Sequence, residues 1–278
     1  MDQQIRFCRT TDDVMLAWAM SGRGPHLVKA ANWLSHLEYD WKTPVWRPLL
    51  ERLSQRHTVV RYDERGCGLS DREPAELSFE AWVRDLEAVV DAARLERFPL
   101  LGISQGGPIA LAYAVRHPER VSHLILYGSY VRGSNHRGRR AREEAAALVQ
   151  LVRVGWGRDG DAYRRLFASL FWPRATPAET RNFAELQRVS ASTETAARII
   201  EGFDEVDVQD LAPRVTAPTL VLHAEGDQRI PFEEGRLAAS LIPGARLVPL
   251  PGANHVVVPQ DPSFEPLLEA VESFLDGD

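Results

Sequence analysis

Cysteine is scarce in this chain: Cys8 and Cys67 are the only two among 278 residues. Two cysteines cannot build a disulfide framework, and no CxxC or His/Cys metal spacing accompanies them, so neither a stapled scaffold nor a zinc module is read here. Long apolar runs are also missing, none approaching the roughly 20 residues that span a bilayer. The opening MDQQIRFCRTTDDVMLAWAM lacks a basic stretch followed by an apolar one. No signal peptide is read there, and a reduced, cytoplasmic setting is expected. Positive charge is not in excess, with 33 Lys and Arg against 39 Asp and Glu and a formal net charge of −6. That balance argues against nucleic acid or an anionic membrane as the main partner. G-x-G-x-x-G is absent after a first strand, so no cofactor and no metal are expected. What remains is 44% hydrophobic and 26% charged, ordinary for a globular α/β domain of this length.

The chain alternates short apolar runs with longer amphipathic ones. Ile5–Arg9 and Val14–Met20 read as a hairpin turning at Thr11-Asp-Asp. His26–Ala30, Thr58–Tyr62, Pro99–Ile103, His123–Tyr127, Thr219–His223 and Arg246–Leu250 are bounded by Gly, Pro or Asp and suit buried parallel strands. Between them, Phe79–Leu95, Ile109–Val115 and Phe264–Leu275 carry apolar residues at helical spacing. The expected fold is α/β: a mostly parallel eight-stranded sheet with helices on both faces. Residues 131–211 contain only helical segments: Arg139–Val154, Asp161–Phe171, Pro177–Ser190 and Glu194–Phe203. A helical cap inserted into a core formed by residues 1–130 and 212–278 accounts for them.

Gly102-Ile-Ser-Gln-Gly106 fits G-x-S-x-G, a tight strand-to-helix turn that exposes a serine hydroxyl. A serine-capped helix fits the same letters. Context separates the two: apolar Phe98–Leu101 precedes the motif, and Pro108 falls in the first turn of the next helix, where its missing N–H costs little. A nucleophilic serine needs a base and an orienting acid, which in this architecture follow in the order acid, histidine. Asp227 ends the run Thr219-Leu-Val-Leu-His-Ala-Glu-Gly-Asp227, and His255 follows the run that starts at Arg246. Loops at the carboxyl ends of parallel strands bring such groups together. Ser104, Asp227 and His255 are therefore the candidate catalytic residues.

Tyr62-Asp-Glu-Arg-Gly-Cys-Gly-Leu-Ser-Asp71, Gly102-Ile-Ser-Gln-Gly-Gly107, Arg116-His-Pro-Glu-Arg-Val121, His223-Ala-Glu-Gly-Asp227 and Pro251-Gly-Ala-Asn-His255 resemble the α/β-hydrolase superfamily. Asn32–Trp41 and Asp63–Asp71 look like a narrower bacterial group whose domains are often fused to nucleotide cyclases or LuxR-type regulators. This chain leaves no room for such a partner and is expected to stand alone. The resemblance implies Ser104 as nucleophile, Asp227 as acid and His255 as base, acting on a small ester, lactone or related acyl compound through an acyl-enzyme. Serine at the elbow argues against alkyl-enzyme dehalogenases and epoxide hydrolases, which resemble relatives with aspartate there. Two further readings share the frame. One is a slow or inert ligand-sensing receptor; the other is a perhydrolase or cofactor-free oxygenase.

The developing oxyanion requires backbone donors. One is expected from Gln105, directly after the nucleophile, and the other from the loop after the third strand. Relatives usually carry His-Gly there, whereas this chain has Ala31-Asn32. Trp33 is then the expected donor, with Asn32 holding the loop because asparagine tolerates left-handed backbone. Trp41, Trp156 and Trp172, with Asn32, are the expected substrate contacts; aromatics that merely bind the cap to the core are the alternative. Arg132, Arg137, Arg139, Arg140 and Arg142 are expected to form a solvated face paired with Glu143 and Glu144, an anion site being the alternative. His223 and His117 read as structural, Asp63 and Arg65 as a loop-stapling pair. A small-molecule acyl substrate and a second copy of the chain in a homodimer are the only partners expected.

Overall fold

The computed structural model describes residues 3–277, so the first two residues and the last one of the expected core lie outside it. Strand β1 (Gln4–Arg9) turns through Thr10–Val14 into β2 (Met15–Ser21), antiparallel, with Phe7 opposite Ala17. The Thr10 hydroxyl accepts from the Val14 amide at 3.0 Å and closes the turn. From there the chain builds βα units: β3 (His26–Lys29), α1 (Leu37–Asp40), α2 (Arg47–Arg56), β4 (Thr58–Tyr62), α3 (Phe79–Ala92), β5 (Phe98–Ile103), α4 (Gly106–Arg116) and β6 (Val121–Tyr127). After the interruption described below come β7 (Thr219–Ala224), α9 (Phe232–Leu241), β8 (Arg246–Leu250) and α10 (Phe264–Asp276).

Among the described residues the eight strands form one sheet in the order β1-β2-β4-β3-β5-β6-β7-β8, parallel from β4 to β8. Every residue of β7 is buried, because helices cover both faces. Strand ends agree with the sequence reading to within two residues.

Three helices, the one-turn α1 and the longer α2 and α9, were not legible in the sequence. In α2 the apolar Leu49, Leu50 and Leu53 share one face, but Pro48 and six charged or polar neighbours mask the pattern. In α9 the mid-helix Gly235 weakens the signal. It is there for space: a Cβ on Gly235 would lie 2.5 Å from Nδ1 of His223.

Between β6 and β7 lie α5 (Arg139–Gly155), α6 (Ala162–Phe171), α7 (Pro177–Ser190) and α8 (Thr193–Asp204), with no strand among the described residues of this stretch. The helices are well delimited, α7 by a capping box from Thr176 and Glu179, α8 by the Ser192 hydroxyl. Aromatic rings fasten them over the carboxyl ends of the strands. Trp33, after β3, packs on Trp156 and Phe167; Trp82 stacks on Phe203 at 4.0 Å. No helix among the described residues is long and apolar enough to cross a membrane.

Candidate active site

The turn from β5 into α4 forces Ser104 to φ +52°, a left-handed conformation that serine seldom adopts. Such a residue costs on the order of 1–3 kcal/mol and persists only where its surroundings impose it. They do so here: the Ser104 amide donates to Tyr127 O at 2.9 Å, and its carbonyl accepts from the Ser129 hydroxyl at 2.9 Å and the Gly107 amide at 3.0 Å. Gly106 lets the β3 loop close on the turn, since a Cβ there would lie 2.7 Å from Ala31 O.

Asp227 and His255 arrive from the loops after β7 and β8. His255 Nδ1 lies 2.6 Å from Asp227 Oδ2, so Nδ1 carries the proton and donates it to the carboxylate. Asp227 Oδ1 accepts from the amides of Arg229 (2.8 Å) and Ile230 (3.0 Å). Burial opposes the charge on Asp227, but the neighbouring His255 and these bonds outweigh it and hold the carboxyl below its ordinary value. His255 Nε2 is buried and has no hydrogen-bond partner among the described residues, and its ring lines the same small cavity as Ser104. The His255 and Val256 amides both donate to Phe171 O, at 2.8 and 3.1 Å, which ties this loop to α6.

Ser104 separates two small cavities of about 20 and 10 Å³. Each has room for about one water. The first is mixed, with Gln105, Ser134, Arg137, Asp204 and Arg229 facing Ile200, Phe203 and Ile230; the second is mostly apolar, lined by Trp46, Ile103, Phe183, His255 and Val256. Trp33 and Phe171 border both. Among the described residues, the backbone N–H groups of Trp33 and Gln105 have no acceptor within the protein.

Several expectations need correction. Asn32 lines the apolar cavity, but its backbone is not left-handed; the positive φ (+45°) falls on Leu34. Asn32 is fixed instead through its side chain, which accepts from the buried ammonium of Lys29. Trp156 stands one layer back, behind Trp33. Trp41 lies under Arg61, and Trp172 borders a surface groove with Arg174 and Asn254; neither lines the cavities at Ser104. Asp63 and Arg65 do not pair. Arg65 binds Asp85 and Asp12 at 2.7 Å, while Asp63 accepts from the amides of Leu37 and Leu69. The arginine run divides: Arg139 and Arg140 are exposed and bound to Glu143 and Glu144, whereas Arg137 turns inward.

His223 sits on the other side of Asp227, 3.7 Å from Oδ2, with Nε2 donating to Ile230 O at 2.9 Å. His117 ends α4 and meets Glu87 at 2.9 Å. Cys67 is buried with burial and Glu64 raising its thiol well above the ordinary value, which makes it unreactive. Glu64 itself was missed by sequence reasoning. It lies beneath the elbow, accepting from Gln105 Nε2 at 3.1 and 3.2 Å, and burial, aided by Asp85, pushes it up to about 8. Its position inside Asp63-Glu-Arg65 was the available signal.

Residues 35–262 match the family described as the alpha/beta hydrolase fold. The chain belongs to that family. Among curated proteins, this α/β hydrolase is 30% identical over 217 residues to a putative carbamate hydrolase, RutD, of Azorhizobium caulinodans, covering 76% of this chain and 78% of the relative. It is 26% identical over 272 residues to the pyrrolizixenacetamide deacetylase of Xenorhabdus hominickii, covering 95% of each chain. Among solved structures, the esterase EaEST of Exiguobacterium antarcticum superposes with a TM-score of 0.81 at 24% identity, over 98% of this chain and 99% of that one. The last likeness shows the fold alone.

Proposed function

We propose that the chain is a serine hydrolase that cleaves a small ester, lactone or related acyl compound, with Ser104 as nucleophile, His255 as base and Asp227 as the acid orienting it. The observation that carries this reading is the state of His255: one ring nitrogen is bound to Asp227 at 2.6 Å, and the other is buried without a partner beside Ser104. A nitrogen so placed takes the Ser104 proton as the alkoxide attacks the acyl carbon. Asp227 stabilises the imidazolium that forms. The oxyanion is received by the Trp33 and Gln105 amides, each such donor being worth about 2.7–4 kcal/mol of barrier. His255 then protonates the leaving group, and a water that it deprotonates releases the acyl group. The helices between β6 and β7 act as the cap, with Trp156 supporting Trp33 from behind.

The relatives support a hydrolytic reaction at an acyl centre, since their names specify a carbamate hydrolase and a deacetylase. A receptor reading shares the same geometry, since the water-sized cavities at Ser104 admit neither substrate nor ligand until the cap shifts. Turnover decides between them. A p-nitrophenyl ester series of graded chain length, assayed with wild type and Ser104→Ala, is expected to give hydrolysis that vanishes in the variant. Binding without hydrolysis at any chain length would move the assignment to a receptor.

A further inference from the structure

The first cavity beside Ser104 carries more positive charge than the reaction above uses. Two guanidiniums, Arg137 and Arg229, line it, together with a single carboxylate, Asp204. Asp204 lies beyond salt-bridge distance of both among the described residues and bonds Ser134 instead. Arg137 is held rigidly. Its Nε and Nη2 donate to Arg132 O at 2.9 and 2.7 Å, it lies over the Tyr130 ring at 4.7 Å, and its side chain is only 8% exposed. The nearest carboxylate, Glu234, is 3.7 Å away and already engaged by Arg132 through two bonds of 3.1 Å. Arg229 has no side-chain hydrogen bond and no ion pair within 4 Å among the described residues; the Phe171 ring lies 5.5 Å from it, and Asp204 is the carboxylate that feels its charge across the cavity. Arg137 thus shares Glu234 with Arg132, and Arg229 has Asp204 only at longer range, which leaves two partly desolvated guanidiniums short of close anionic partners, a costly state unless a ligand supplies one. Planar bidentate recognition of a carboxylate is the chemistry for which arginine is suited.

We propose that Arg229 and Arg137 form a carboxylate-binding subsite beside Ser104, so that the substrate carries an anionic group on its acyl part. The assignment to the acyl part rests on the serine-hydrolase reading. In that reading the leaving group takes its proton from His255, and His255 faces the apolar cavity lined by Trp46, Phe183 and Val256. The leaving group therefore occupies that side, and the acyl part lies on the arginine side, past Gln105. An approach from outside adjoins it. Ser134, Arg137, Asp204 and Arg229 also line the inner end of an outer groove whose walls include Leu148 and Leu151 of α5.

Two measurements test the subsite, one of them independent of turnover. Adipate is titrated calorimetrically into Ser104→Ala, with and without Arg229→Gln added. Saturable binding that weakens at least tenfold with Arg229→Gln, and partially recovers with Arg229→Lys, is expected. In parallel, wild-type kcat/KM is compared for the mono-p-nitrophenyl ester of adipate and the p-nitrophenyl ester of hexanoate. The anionic ester is expected to be preferred at least tenfold, with its KM rising as sodium chloride goes from 50 to 500 mM. Absence of adipate binding together with no preference for the anionic ester overturns the subsite, as does binding that Arg229→Gln leaves unchanged. Adipate binding without hydrolysis of either ester supports the subsite and sinks the hydrolase reading instead.

Discussion

Asp227 has an imidazole on either side of it. His255 approaches from the loop after β8, His223 from the end of β7, and both are buried. Their remaining ring nitrogens differ in circumstance. The Nε2 of His223 is spent on the Ile230 carbonyl, and its Nδ1, though unbonded among the described residues, is packed against Gly235 of α9; the Nε2 of His255 is likewise unbonded, but its ring lines the cavity at Ser104. Nearness to an acid is thus insufficient to make a base. Both imidazoles keep one unbonded nitrogen, but only that of His255 lies at the cavity shared with Ser104.

The largest expected effect separates the two histidines directly. His255→Ala should lower kcat on the order of 10⁵–10⁶-fold, as should Ser104→Ala, and the double variant should be no worse, because the residues act as a unit. Additive losses would break the pairing. Asp227→Asn comes next, with a loss of about 10⁴-fold, since an amide no longer fixes the tautomer that presents Nε2 as acceptor. Steady-state kinetics on one ester reads all three. His223→Leu should leave kcat within about threefold while lowering stability by about 1–3 kcal/mol, the cost of an unpaired buried carbonyl at Ile230. Chemical denaturation measures the second quantity; a kcat loss comparable to that of His255→Ala would erase the distinction.

The smallest effect concerns pH. Burial depresses the His223 pKa, so the folded chain binds its proton less readily than the unfolded one. That contribution is present above the unfolded value near 6.5 and is lost as pH falls below it. Glu64 has the opposite sign. Its raised pKa of about 8 makes a contribution present below the ordinary 4.5 and lost as pH rises to about 8. Tm profiles should therefore become flatter on the alkaline side in Glu64→Gln and on the acid side in His223→Leu. Parallel profiles for variant and wild type would contradict either statement.

The sheet was legible because its strands are apolar runs punctuated by Gly, Pro and Asp. The positions of Ser104, Asp227 and His255 at strand ends were legible for the same reason. Side-chain partnerships were much less so. Asp63 and Arg65 are close in sequence but bind different elements, whereas Arg137 and Arg229 share a cavity across 92 positions of chain. Tryptophans were misjudged because an indole packs as readily under an arginine, as Trp41 does, as against a substrate. The Asn32 loop keeps its shape through a lysine side chain, a partner that backbone propensity gave no reason to suspect.

Phe171 carries one last consequence. Its carbonyl holds two successive amides of the His255 loop, and its ring lies against the imidazole at 5.5 Å. The inserted helices and the base are thereby parts of one assembly, although 84 residues of chain separate them. The fold looks modular, as though the insert could be traded for a relative's to change selectivity. A transplant that spaced α6 differently would deprive the His255 loop of its anchor, so the exchangeable portion ends short of Phe171 and begins again only after it.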